Sequence, residues 1–187
     1  MAGITSNIQL ISNALILLGD APISSLDEPG AGAIAGANLY ESSYRNLLSL
    51  HRWRFAVKKA MLSKLSTAPL SEYSNQFQMP TDIIKLIRVD KGTDFDIFED
   101  KIFSNYDDII IDYVYRVDEG YLPAWFVKTF EFFLAAQFAI PVTGNSTRAG
   151  EYLGMYTQQL KVAKHIDSSE RPAKAIPSNP FMEARLS

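Results

Sequence analysis

The chain has 187 residues, of which 47% are hydrophobic, 21% charged and 12% aromatic, with a formal net charge of -3; this is the composition of a globular protein with enough length for one ordinary domain and a real core. It contains no cysteine and only two histidines, His51 and His165, far apart in the chain, which excludes a disulfide framework, a thiolate metal site and a cysteine nucleophile, and leaves little material for a zinc centre or a Ser-His-Asp relay. The negative balance argues against a general nucleic-acid binder, and the start "MAGITSNIQL", with no apolar run approaching the roughly 20 residues of a bilayer span, argues against an export or membrane signal.

Ile8, Ile11, Leu15 and Leu18 recur at helical spacing, with Thr5 or Ser6 as N-cap and Gly19 as terminator, predicting a first helix over about 5–18. The connector "GDAPISSLDEPG" is broken by Pro22, Pro29 and Gly30 and anchored to the core by Ile23 and Leu26. A second helix is predicted over 31–52. It starts with small residues that permit close backbone approach and carries a stripe of Ile34, Ala37, Tyr44, Leu47, Leu48 and His51 suited to packing on the first helix. Core packing is the preferred reading of His51, ahead of a ligand role.

From about 54 to 120 the pattern changes to short extended pieces, "FAVKKAML", "DIIKLIRV", "FDIFE", "KIFS" and "DIIIDYVYRV", separated by turn residues as strands are. Glu99 and Asp100 make a tight turn between two of them. Helicity returns over 123–140, opened by Pro123, ended by the stretch from Pro141 to Gly144, and apolar nearly all round with Trp125, Phe126, Phe130, Phe132, Phe133, Leu134 and Phe138; such a helix is buried on most faces. A last helix over 146–168 carries Tyr152, Met155, Tyr156, Leu160 and Ala163 on one side. The order predicts an α+β chain, mainly α: an antiparallel bundle of about four helices with a small antiparallel β insertion. Residues 1–168 form a single domain, and 169–187 an extended C-terminal arm.

Acidic residues concentrate in the β region, among them Asp94, Asp96, Glu99, Asp100, Asp107 and Asp108, whereas Arg45, Arg52, Arg54, Lys58, Lys59 and Lys64 form a run uninterrupted by acid. The folded chain is therefore expected to present two faces of opposite sign. The acidic cluster suits calcium, a glycosidase-type carboxylate pair or a plain solvated face. "DFDIFED" alternates like a strand and lacks the EF-hand spacing, and no spacing in sequence shows a paired cleft, so the solvated face is preferred. The basic run, interleaved with Trp53 and Phe55, suits nucleic acid or an oppositely charged partner surface, including an identical neighbour; the net negative charge favours the partner.

The arm "SSERPAKAIPSNPFMEARLS" cannot continue a helix past Pro172, Pro177 and Pro180. Burying Ile176, Phe181 and Met182 would contribute about 2 kcal/mol each, less than the cost of ordering such a stretch, on the order of 1 to 2 kcal/mol per residue. It therefore needs a partner surface or backbone pairing to order; otherwise it is a frayed end.

"NALILLGDAPISSLDEP", "YRNLLSLHRWRFAVKKAML", "NQFQMPTDIIKLIRV" and the closing "NPFMEAR" occur in an order, spanning nearly the whole chain, that resembles the tail tubular protein A family, the head-to-tail adaptors of short-tailed bacteriophages. The resemblance implies a structural virion protein rather than an enzyme, with no catalytic residue, cofactor or metal. It implies a dodecameric ring of identical subunits at the portal vertex, assembled in the host cytoplasm. Such a ring joins the portal protein to a tail nozzle of the tail tubular protein B type, neighbours tail fibres, and surrounds a channel through which double-stranded DNA passes without sequence-specific binding; no membrane is involved. On that basis the arm is expected to bind the portal through Arg171, Lys174, Ile176, Pro177, Asn179, Pro180, Phe181 and Arg185. Asp94, Asp96, Glu99, Asp100, Asp107 and Asp108 are candidates to face the channel, where carboxylates repel phosphates, and Arg45, Arg52, Arg54, Lys58 and Lys59 are candidates for the contact between subunits. The alternatives are a carboxylate-dependent cell-wall hydrolase of a phage tail and a small helical interaction module.

Overall fold

The computed structural model describes residues 6–67, 69–70, 72–90 and 94–170. Helix α1 (Asn7–Leu17) starts at Ser6, whose hydroxyl accepts the Gln9 N–H at 3.2 Å, and the chain turns away at Gly19 in the left-handed region, φ 77°. Helix α2 (Ala31–Ser49) crosses α1 closely. A Cβ on Gly32 would lie 2.7 Å from a methyl of the fully buried Leu15, and one on Gly36 3.0 Å from Ile11, so the small residues of "AGAIAGANLY" are what allows the approach. The buried side of α2 includes Gly32, Ala33, Ala35, Gly36, Tyr40, Tyr44, Leu47 and Leu48, while Ile34, placed on the packing stripe by its spacing, is exposed.

Helix α3 (Ala124–Thr143) continues through Pro141, past the stop expected at 140, and ends at Gly144 with φ 65°. Proline sits in the last turn, where it removes one hydrogen bond, and glycine supplies the actual terminus. By length and composition α3 is apolar enough to cross a membrane; here it is the central helix, in contact with α1, α2 and α4, with Phe126, Phe130, Leu134 and Phe138 fully buried. Helix α4 (Ser146–Ser169) is capped by Asn145, which accepts the N–H groups of Thr147 and Arg148. It also finishes α1: Arg148 donates to the Leu18 carbonyl at 2.6 Å and Tyr152 to the Leu17 carbonyl, two of the acceptors that a helix end leaves open.

The expected helical bundle with one small β insertion is not what forms. Beside four helices stand two antiparallel sheets with seven strands in total. Sheet A has the order β1 (Val57–Met61), β7 (Ile110–Tyr115), β4 (Ile83–Val89), and sheet B the order β2 (Ser63–Lys64), β3 (Asn75–Gln78), β6 (Lys101–Ser104), β5 (Phe95–Phe98). The β region is more than an insertion because it has a second core of its own, Leu62, Phe77, Val89, Ile102, Ile109, Ile111 and Tyr113. Alternation along β7 serves both cores: Ile111 and Tyr113 enter this one, and Val114 enters the helical core with Trp53, Ala56, Phe126 and Phe130.

Candidate functional site

The chain leaves α2 at Leu50 and reaches β1 through "HRWRFA", a corner closed by a short 3₁₀ turn, Arg54–Ala56. Trp53 is the fully buried pivot of that corner. Its indole N–H donates to the Leu47 carbonyl at 3.0 Å, and its ring packs against Phe126 and Trp125 at 5.2 and 5.7 Å. Asp167, near the C-terminal end of α4 and 2% exposed, locks the corner from the other side. One carboxylate oxygen accepts the Arg54 backbone N–H at 3.0 Å, and the other lies 3.3 Å from His51 Nε2. His51 in turn stands edge-on to Trp53 at 4.8 Å. It is therefore half-buried against the Asp167 carboxylate at a surface cleft instead of packed inside the core.

That cleft, about 560 Å³, is lined by His51, Arg52, Arg54, Val57, Asp167 and Ser168. Asp167 spends both oxygens on the corner, and Ser168 Oγ donates to the Lys164 carbonyl at 2.8 Å. The Ser168 hydroxyl is thus engaged by its own helix, and no hydrogen bond to His51 is seen among the described residues. The groups left to act outward are the guanidinium groups. Arg54 is exposed and makes no ion pair among the described residues, and Arg52 reaches Asp112 only at 3.9 Å with its side chain 61% exposed. Asp112, buried on β7, is already met by Lys59 at 3.6 Å and Arg88 at 3.2 Å, its cross-strand neighbours on β1 and β4. The chemistry offered by the cleft is recognition of an anion.

The other predicted basic residues go elsewhere. Arg45 pairs with Glu41 at 2.7 Å along α2, and Lys58 with Asp82 at 2.9 Å. Lys64 pairs with Asp107 at 3.1 Å. The two expected faces of opposite sign are therefore reduced, because Lys58, Lys59 and Lys64 meet acids of the β region across strands and loops. Bonds from Lys58 and Tyr113 hold Asp82 below the usual carboxylate range against the burial that, as the largest single influence, pushes it up. The same hydrogen bond raises Lys58.

Of the acidic set, Asp94, Asp96, Glu99 and Asp100 come together on the β5–β6 hairpin, all exposed, with Lys101 as the one cation in that stretch. Glu99 turns the hairpin with φ 55°. Asp100 accepts from Gln78 at 2.7 Å, and Asp96 from Tyr73. Asp107 and Asp108 are exposed in the loop between β6 and β7. The arm residues Arg171, Lys174, Ile176, Pro177, Asn179, Pro180, Phe181 and Arg185 lie outside the described residues.

A second polar centre joins α2 to the segment after β7. Arg116 bonds Glu119 at 2.7 Å and Glu41 at 2.9 Å and stacks over Tyr44 at 4.5 Å, while Tyr40 donates to Glu119 and Tyr44 to the Val117 carbonyl, both at 2.9 Å. Burial, the largest single influence on both carboxyls, pushes them up, but the Arg116 hydrogen bonds prevail and hold Glu41 and Glu119 below the ordinary glutamate range. Burial also raises the Tyr40 and Tyr44 hydroxyls far above the usual tyrosine range. All of these groups are satisfied internally, and the centre is a strut. Among the described residues no three His, Asp or Glu are grouped to hold a metal ion, and no buried side-chain N or O lacks a partner.

The Asp167 lock was not foreseen, though a signal existed. Tyr156, Leu160, Ala163 and Asp167 follow one another at helical spacing, so the carboxylate occupies the next place on an apolar stripe, where it needs a buried partner. No protein-family model and no curated protein matches the chain.

Proposed function

We propose that this protein is a structural subunit of a phage head-to-tail adaptor: a ring of identical subunits between portal and tail nozzle, around the DNA exit channel, with the C-terminal arm as its grip on the portal. The observation that carries this reading is the Asp167 lock. It ties "HRWRFA", one of the segments on which the family resemblance rests, to the end of α4 from which the arm departs. A lock of this kind fixes the end of α4 to the body, as a grip repeated around a ring requires; contacts that are weak singly then add as avidity.

The test is to mix the full chain with portal protein and measure mass and image the particles, beside a chain ending at Glu170. Rings on the portal with the full chain and none with the shortened one are expected. A small monomer persisting with portal present would overturn the reading, and normal docking of the shortened chain would overturn the role of the arm.

A further inference from the structure

The cationic cleft and the acidic hairpin are built from different elements, the cleft from the corner before β1 and the end of α4, the hairpin from β5 and β6. The cleft opens where β1 begins and α4 ends, and it holds two guanidinium groups in excess, Arg54 without an ion pair among the described residues and Arg52 at the far edge of an already neutralised carboxylate. The hairpin contains the outer strand of sheet B, with β5 hydrogen-bonded on one side only, to β6. It carries four carboxylates against one lysine, and between them Ile97 and Phe98 are 44% and 54% exposed. Exposed apolar residues beside a cluster of like charges are unfavourable for a tip that stays in water and favourable for one that enters an oppositely charged recess. The cleft supplies such a recess, with Val57 as its apolar wall. Its volume of about 560 Å³ falls within the roughly 300–1,000 Å³ of ordinary binding pockets.

We infer that the cleft receives the β5–β6 hairpin of a second copy of this chain, Arg52 and Arg54 taking carboxylates from Asp94, Asp96 and Glu99 while Ile97 and Phe98 approach Val57. Donor and acceptor surfaces differ, so the contact is head-to-tail and propagates until it closes. The inference rests on the ring reading for that closure alone.

The chain contains no cysteine, so introduced thiols report this contact without background. Ser168→Cys in one sample and Phe98→Cys in another, mixed under mild oxidation, are expected to yield a mixed disulfide-linked dimer. Ser42→Cys, on the exposed side of α2, serves as the control partner and is expected to yield none. Independently, Arg52→Glu/Arg54→Glu and Asp94→Lys/Glu99→Lys are each expected to weaken self-association at least about tenfold, and mixing the two variants to restore it; a folding defect could not be cured by mixing. No hairpin-to-cleft dimer at any concentration, or losses that mixing does not restore, would overturn the inference. Repeating the cross-linking on portal-bound particles separates the two proposals. Rings that form without the hairpin-to-cleft disulfide would overturn the contact and leave the adaptor reading standing. The disulfide without portal-bound rings would do the reverse.

Discussion

Asp167 and Arg116 each hold two parts of the chain together, and the cost of removing them differs. Asp167→Ala leaves the Arg54 N–H without its acceptor and His51 without its partner, so we expect a loss of about 1–3 kcal/mol in denaturant unfolding. Asp167→Asn, which keeps an oxygen for the N–H, should lose less. Arg116→Met takes the cation from the largely buried Glu119, which keeps only its Tyr40 bond, while the half-exposed Glu41 retains Arg45, for an expected loss of about 1–3 kcal/mol. The same variant carries a pH signature. Both glutamates titrate lower in the folded chain than in the unfolded one, so their contribution is complete above about pH 4.3 and disappears as pH falls through the folded values. Acid unfolding should therefore be shallower in Arg116→Met than in the parent, measured as stability against pH from neutral downward. An unchanged acid limb would show that other carboxylates dominate it.

At the level of elements, the crossing of α1 and α2 provides a comparison in which one substitution acts with two signs. Alanine in place of Gly32 gains about 1 kcal/mol of helix propensity but drives a methyl into Leu15, and overpacking of a filled core costs about 1–3 kcal/mol; a net loss is expected. Gly150 on α4 has open space around its Cβ position, so Gly150→Ala should gain about 0.5–1 kcal/mol. Thermal melts of the pair test both signs. The helices were legible because apolar residues recur every three or four positions and Ser6, Gly19 and Gly144 mark ends. The strand β3 was not. Its residues Asn75 and Gln76 look like loop, yet both are buried because their amides donate to the carbonyls of Tyr106 and Thr67 at 2.7 and 2.8 Å. Sheet membership was hidden for a related reason: β1 pairs with β7, and Val57 meets Val114, a partnership that no local pattern encodes. The cleft shared this fate. Its arginines stood out in sequence, but which cations would be neutralised depended on cross-strand register, as with Lys59 and Asp112.

For the whole molecule, the helical core and the β core have different compositions but a common wall. Shortening the chain at Glu170 removes neither core nor the Asp167 lock, so its melting temperature should stay within a few degrees of the parent. A large drop would mean that residues 171–187 support the body itself. The strand β7 decides how that body comes apart. With Val114 in one core and Ile111 and Tyr113 in the other, peeling it from either side uncovers both at once, so the helices cannot melt while the sheets persist. Unfolding should then be a single cooperative step, with calorimetric and van't Hoff enthalpies in agreement. A chain that unfolds in this way offers proteases and aggregation little half-open form between the native body and the unfolded chain.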